Sequence, residues 1–170
     1  MANRRTVEND ASGETFIFSD EWNDPNGFVR QLKYKLKPGG KVPRHFHLGR
    51  SQSFKVLAGE LSVEVDRVKS VLKAGDESQT GVDSIHSQWN AGTETVHVIE
   101  GFDPPIDIEP FFTAFPIVFG SKNPLKQFVF LHDHRHVSTQ KRLFVTSTIS
   151  AFAVVGTLFG LSGWYKKTDR

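Results

Sequence analysis

The sequence predicts an all-β fold, a single small barrel, followed by short helices and one C-terminal hydrophobic helix. Two observations predict the barrel and a third predicts its appendages. Apolar and polar residues alternate in many short runs, which is the period of a half-buried strand. Glycine-bearing turns separate these runs at close intervals, as in sandwiches and barrels. After Pro104 and Pro105 the alternation gives way to longer apolar stretches.

The elements follow in chain order. Residues 1–13 are polar and expected to be loose. The barrel is expected over residues 14–108. Within it Leu32, Tyr34 and Leu36 share one face against Gln31, Lys33 and Lys35, and Pro38-Gly39-Gly40 ends the strand. Further runs at 54–57, 61–65, 68–72 and 96–99 are separated by Gly59, Gly75 and Ala91-Gly92. A helical extension is expected over 109–140. Its first segment carries Phe111, Phe112 and Phe115 and is disturbed by Pro116, and its second is opened by Asn123-Pro124. These helices either cover the barrel mouth, lie at a membrane surface or shape a substrate pocket.

Residues 141–170 are read as a transmembrane or membrane-associated helix. The run Leu143 to Tyr165 carries no charge and would make a helix about 35 Å long at ~1.5 Å per residue, against a hydrocarbon core of about 30 Å. Lys141-Arg142 and Lys166-Lys167 bracket it, and Trp164-Tyr165 sits where an interfacial aromatic belt would sit. Its Ser, Thr and Gly residues lower its hydrophobicity, so a packed helix over the barrel is the alternative. No apolar leader follows Met1, and the expectation is therefore a single-pass C-terminal membrane anchor with the barrel facing the cytosol. Membrane lipid is then a partner. Gly156 and Gly160 have the spacing that lets two helices approach closely, which would suit a homodimer.

Composition narrows the chemistry. The formal charge is only +2 and no basic stripe interleaves with aromatic residues, so no nucleic acid partner is expected. With 0 cysteines there is no disulfide, thiolate metal site or cysteine nucleophile, and any metal must be held by nitrogen and oxygen. His45 and His47 are two apart, so on a strand their rings face one side, which in a closed barrel is the interior. Gln52 and His86 stand where neighbouring strands can bring them alongside. Three imidazoles and an amide oxygen suit a divalent transition metal, Fe, Mn, Ni, Cu or Zn, with positions left open for water, oxygen or substrate. The competing reading is three histidines satisfied by hydrogen bonds alone.

Gln88 shares the face of His86 whereas Trp89 does not. It is the expected catalytic-site polar group, orienting a substrate oxygen or metal-bound water, unless it only satisfies an imidazole N–H. A second histidine cluster, His132-Asp133-His134-Arg135-His136, would fan out on a helix. It reads as an exposed segment that changes charge near the ordinary histidine pKa of about 6.5 rather than as a metal site. His97 alternates with Val96 and Val98 and fits either face.

The stretch Gly39 to Gly59, G-x5-H-x-H-x4-Q-x6-G, resembles the first cupin motif, with Gln52 in place of its usual glutamate. Gly75 to Asn90 resembles the second, with Gly75, His86 and Asn90 in place, Gly81 where the family has proline and Asp83 where it has a glycine. The tail from Phe111 to Leu125 is similar to the C-terminal extension of some small microbial cupins. The resemblance implies a jelly-roll-like barrel of about six to eight strands, with His45, His47, Gln52 and His86 as metal ligands. Gln52 makes this ligand set neutral, so the ion would keep its full charge and act as a stronger Lewis acid.

The expected function is a membrane-tethered, metal-dependent enzyme on a small lipophilic substrate of the specialised-metabolism type, the last step being analogy. Oxygenation, an oxidoreductase reaction, comes first and isomerisation or cyclisation second. The alternative is a non-catalytic or metal-free binding module, for which Gln52, Gly81 and Asp83 speak. A sugar-phosphate isomerase would want basic residues in the lumen, and Arg44 and Lys55 are the nearby candidates.

Overall fold

The computed structural model describes residues 3–135, 137, 143–158 and 160–163. Its strands are β1 (Arg4–Asn9), β2 (Glu14–Ser19), β3 (Val29–Leu36), β4 (Lys41–His45), β5 (Ser51–Ala58), β6 (Glu60–Val65), β7 (Val68–Lys73), β8 (Glu77–Gln79), β9 (His86–Trp89) and β10 (Val96–Ile106). Three helices follow, α1 (Glu109–Gly120), α2 (Pro124–Asp133) and α3 (Leu143–Leu158).

The strands form two antiparallel sheets, ordered β1-β2-β3-β10-β5-β8 and β4-β9-β6-β7. The inward face of each strand is set by its period of two. Leu32, Tyr34 and Leu36 on β3, Phe54 and Val56 on β5, Leu61 and Val63 on β6, and Val96 and Val98 on β10 are all buried and form one core. His97 therefore lies on the outer face, half-buried. Gly59 joins β5 to β6 with φ of +81°, and a Cβ there would sit 3.2 Å from Val96 Cα, so the turn needs glycine for both conformation and space.

Within the N-terminal segment expected to be loose, Arg4–Asn9 is a strand. It pairs in register with β2 along its whole length. Arg5 is also held at its far end, through ion pairs to Glu109 at the start of α1 and to Asp20 at 2.7 Å. Its guanidinium ties the first strand to the helical extension, a link that sequence alternation cannot reveal.

The C-terminal anchor is overturned. No helix among the described residues is long and apolar enough to cross a membrane. α3 has 16 residues, about 24 Å at ~1.5 Å per residue, short of a hydrocarbon core of about 30 Å. The expected cytosol-facing orientation, argued from that anchor, falls with it. The reason is the helix end: Gly160, at φ +71°, donates its N–H to Thr157 O at 2.9 Å, and Leu161 donates to Gly156 O at 3.0 Å. This pair of bonds closes a helix on a left-handed glycine.

α3 instead packs on α2. Phe152 stacks on Phe128 with centroids 5.0 Å apart, and a Cβ on Gly156 would sit 2.5 Å from Val129 Cγ2. The small residue that could have joined two membrane helices thus joins two helices of one chain. Pro116 does not break α1, which continues through it to Gly120. Asn123 caps α2, its Oδ1 accepting from the Lys126 amide at 3.2 Å, with Pro124 in the first turn. Lys141, Arg142, Trp164, Tyr165, Lys166, Lys167 and His136 lie outside the described residues.

Candidate metal centre

His45 ends β4, His47 lies two residues further on, and His86 opens β9, which pairs with β4 so that His86 stands opposite His45. The ring centroids are 4.9 Å apart for His45 and His47, 4.3 Å for His45 and His86, and 5.4 Å for His47 and His86. One ligand nitrogen from each lies within 4.8 Å of the other two. Two nitrogens on one ion at imidazole bond lengths of about 2.0–2.1 Å stand at most about 4.2 Å apart, so the three rings would close in by a few tenths of an ångström to share a metal.

The other ring nitrogens decide the tautomers. His45 Nδ1 bonds Pro43 O at 2.9 Å, His86 Nδ1 bonds Ser84 O at 3.0 Å, and His47 Nδ1 bonds Val137 O. A carbonyl can only accept, so each Nδ1 carries the hydrogen and each Nε2 carries a lone pair. His47 Nε2 and His86 Nε2 are buried without a hydrogen-bond partner. Burial first, and for His45 the neighbouring imidazoles second, lower the pKa of these rings, His47 to about 4. Neutral rings with free lone pairs are the form that binds metal. The reading that the histidines satisfy one another leaves these two atoms unexplained.

Gln52 lies inward on β5, 2% exposed. Its Nε2 donates to Glu100 Oε1, its amide lies against the His47 ring, and its Oε1 is buried without a partner. The donor set, three Nε2 atoms with an amide oxygen beside them, fits a divalent transition ion, and nothing in it selects one metal. Gln88 is 2% exposed and lies opposite Val42, while Trp89 is half-exposed with Lys69 Nζ 6.0 Å above its ring.

The sequence reading missed the carboxyls. Glu100 is in phase with Val96, Val98 and Phe102 on β10, and Glu14 with Phe16 and Phe18 on β2, so both face inward and are buried. Desolvation raises Glu100 to about 8, with Glu14 adding to it, and raises Glu14 to about 7. Their alternation with apolar residues was the available signal. Glu100 is a diagonal neighbour of Gln52, since Glu100 pairs with Phe54 and Phe102 with Gln52. A carboxyl absent at position 52 is thereby present one strand away.

Glu14, His45, His47, Gln88 and Glu100 line the polar part of a cavity of about 250 Å³. The apolar part comes from the helical extension, through Phe111, Phe112, Phe115 and Phe119 of α1 and Leu131 of α2. Phe16 of the barrel stacks on Phe112 at 3.8 Å, and Phe111 on Phe130 at 5.2 Å. The extension thus packs over the barrel and lines its cavity. His134 belongs to this roof, buried against Phe130 and Phe111, with Nδ1 bonded to Phe130 O at 3.0 Å; it does not join an exposed cluster. Arg44 and Lys55 pair on the outside with Glu64 and Glu77, at 2.7 and 2.6 Å. Neither Arg44 nor Lys55, nor any other Lys or Arg, is among the described residues that line the cavity.

The departures in the second motif have structural accounts. Asp83 adopts φ of +58°, the left-handed conformation a glycine would take, and its Oδ1 accepts from the Gly49 amide at 2.6 Å. Asn90 is structural, its Nδ2 donating to Leu36 O and Glu94 O at 2.9 and 2.8 Å.

Comparison with known proteins agrees with this architecture. Residues 32–102, within the barrel, match the cupin domain family model. An oxidoreductase of Arthrobotrys oligospora is 35% identical over 68 residues, which cover 40% of this chain and 26% of that protein. The chain thus spans about a quarter of that relative's length. Among solved structures, the cupin domain of Drosophila melanogaster CENP-C is similar at TM-score 0.50 and 19% identity, over 59% of this chain and 75% of that one. A predicted oxalate decarboxylase of Thermotoga maritima is similar at TM-score 0.48 and 23% identity, over 59% and 91%. At these identities the likeness is one of fold alone.

Proposed function

We propose that this protein is a metal-dependent cupin enzyme acting on a small apolar molecule, an oxidoreductase in the first place and an isomerase or cyclase in the second. The observation that carries the reading is the cluster of three imidazoles, two of which, His45 and His47, line one end of a cavity whose other end is phenylalanine. His45, His47 and His86 would hold the ion through Nε2, with Gln52 offering Oε1. A bound divalent metal supplies Lewis acidity, and a redox-active one supplies electron transfer to oxygen or substrate.

The chain's own residues do the rest. The carbonyls of Pro43, Ser84 and Val137 fix the three ring tautomers and orientations. Gln88 orients a polar atom of the substrate, and the roof phenylalanines exclude water and hold its apolar body. The name of the Arthrobotrys oligospora relative supports the oxidoreductase class.

The test is to load the purified chain with Fe, Mn, Ni, Cu and Zn in turn, then follow substrate-dependent oxygen uptake over a panel of neutral aromatic and terpenoid molecules. Metal-dependent oxygen uptake with at least one of them is expected. Conversion without oxygen uptake would move the protein to the isomerase or cyclase reading. A second reading, a metal-free binding module, draws on Gln52 standing where relatives carry glutamate. It predicts tight ligand binding that no metal alters.

A further inference from the structure

The cavity has two chemically different ends, and its polar end holds more than a metal centre requires. Glu14 is buried with its carboxyl in the cavity wall, at a position set by β2, on which no metal ligand lies. Gln88 lines the same wall, 2% exposed, with its side chain against the buried Tyr34 hydroxyl and its Oε1 without a hydrogen-bond partner. Glu100 completes this wall. No Lys or Arg is among the described residues that line the cavity.

We infer that this wall is a hydroxyl-binding pole, and that the ligand of the cavity is a neutral phenol or similarly hydroxylated aromatic molecule. This deepens the reading of the cavity as a substrate site and rests on it.

The argument is one of donors and acceptors. An amide oxygen left unpaired in a buried wall is an acceptor that lacks a donor, and leaving it so costs free energy. Each carboxyl group keeps an acceptor oxygen in either protonation state and gains a single O–H donor only when protonated, so with the Gln88 oxygen the three side chains present more acceptors than donors. A ligand hydroxyl supplies the missing hydrogen. An anion finds no cation here, and beside two buried carboxyls its desolvation is uncompensated. At the other end, Phe111, Phe112 and Phe115 offer ring faces and edges to a planar aromatic body. A cavity of about 250 Å³ holds one or two fused rings, not a long chain.

The test uses three matched probes on the metal-stripped full-length protein: 2-naphthol, a donor; 2-methoxynaphthalene, its acceptor-only ether; and 2-naphthoate, an anion. Stripping the metal removes direct ligation of it by oxygen. Binding is read by fluorescence titration. Naphthol is expected to bind at least ten-fold tighter than the ether, with naphthoate weakest. In Gln88→Leu and in Glu14→Leu the naphthol advantage should shrink several-fold while ether binding changes little. Equal binding of naphthol and ether, tighter binding of naphthoate, or no binding of any probe by the folded protein would overturn the inference. Metal content and oxygen uptake of the same preparation, before stripping, test the enzyme reading separately. A selective cavity without metal loading would sink only that reading, and a loaded, active protein with the wrong selectivity would sink only this one.

Discussion

The barrel and the helical extension build opposite walls of one cavity, and they are held in place by different means. The barrel positions its groups through ladders: His86 stands opposite His45 and Glu100 diagonal to Gln52 because strand register leaves them nowhere else. The extension has no register. It is located by aromatic packing on the barrel, the Arg5 ion pair to Glu109, the close approach at Gly156 and the bond from His47 to Val137 O. A wall fixed by register changes little when one side chain is lost, whereas a wall fixed by packing depends on each of its few contacts.

The largest effect expected from that difference is at Phe130, fully buried in the roof against Phe111 and His134. Phe130→Ala should cost about 3–5 kcal/mol in denaturant unfolding, the range for a truncated buried phenylalanine. It should also weaken metal binding, because the Val137 carbonyl lies just beyond. A cost below about 1 kcal/mol would mean that the roof is not packed as described.

Next comes Gly156. In Gly156→Val the new side chain would meet Val129, so about 1–3 kcal/mol of overpacking is expected, checked by the same unfolding measurement. Unchanged stability would break the pairing of α2 with α3.

The smallest effect concerns pH. Glu14 and Glu100 titrate in the folded chain at about 7 and about 8, raised from 4.5. The folded state therefore keeps protons that the unfolded chain releases, and the stability linked to them, full below 4.5, is lost as pH rises through about 8. His47 runs the other way, lowered from 6.5 to about 4, so its linked stability is lost as pH falls from 6.5 toward 4. The metal-free protein should lose stability as pH rises from 6.5 to about 8, a range in which the carboxyls release their folded-state protons and the lowered histidines no longer titrate. Glu100→Gln should remove about 1–2 kcal/mol of the alkaline loss between pH 6.5 and 9. An equally steep alkaline limb in Glu100→Gln would place the titrating groups elsewhere.

The same difference between the walls explains what could be read from the sequence. Leu32, Tyr34 and Leu36 face inward because a strand with one wet side must alternate, and that rule is local. His45 and His47 could be named from their spacing alone. Glu14 and Glu100 obey the same alternation, but a carboxyl in phase with valines and phenylalanines is easily passed over, and only burial exposes it. The extension was legible as helices and not as a roof. An apolar helix is compatible with lipid or with protein, and what decides is the partner that Gly156 touches and the left-handed turn at Gly160, both of which are tertiary facts. The strand at Arg4–Asn9 was missed for a related reason, since the residues that hold Arg5, Asp20 and Glu109, lie up to a hundred residues away.

The central claim, that barrel and roof enclose one metal centre built on His45, His47 and His86, is tested most directly by cobalt titration of the full chain. Co(II) absorption near 500–650 nm, read per mole of protein, reports ligand binding at about one site per chain. The account predicts saturable binding of one equivalent, lost by more than ten-fold in affinity in His47→Ala and in His86→Ala, with both variants still folded by circular dichroism. Cobalt binding that is equally tight in the folded variants, or absent from the folded wild-type chain, would contradict it.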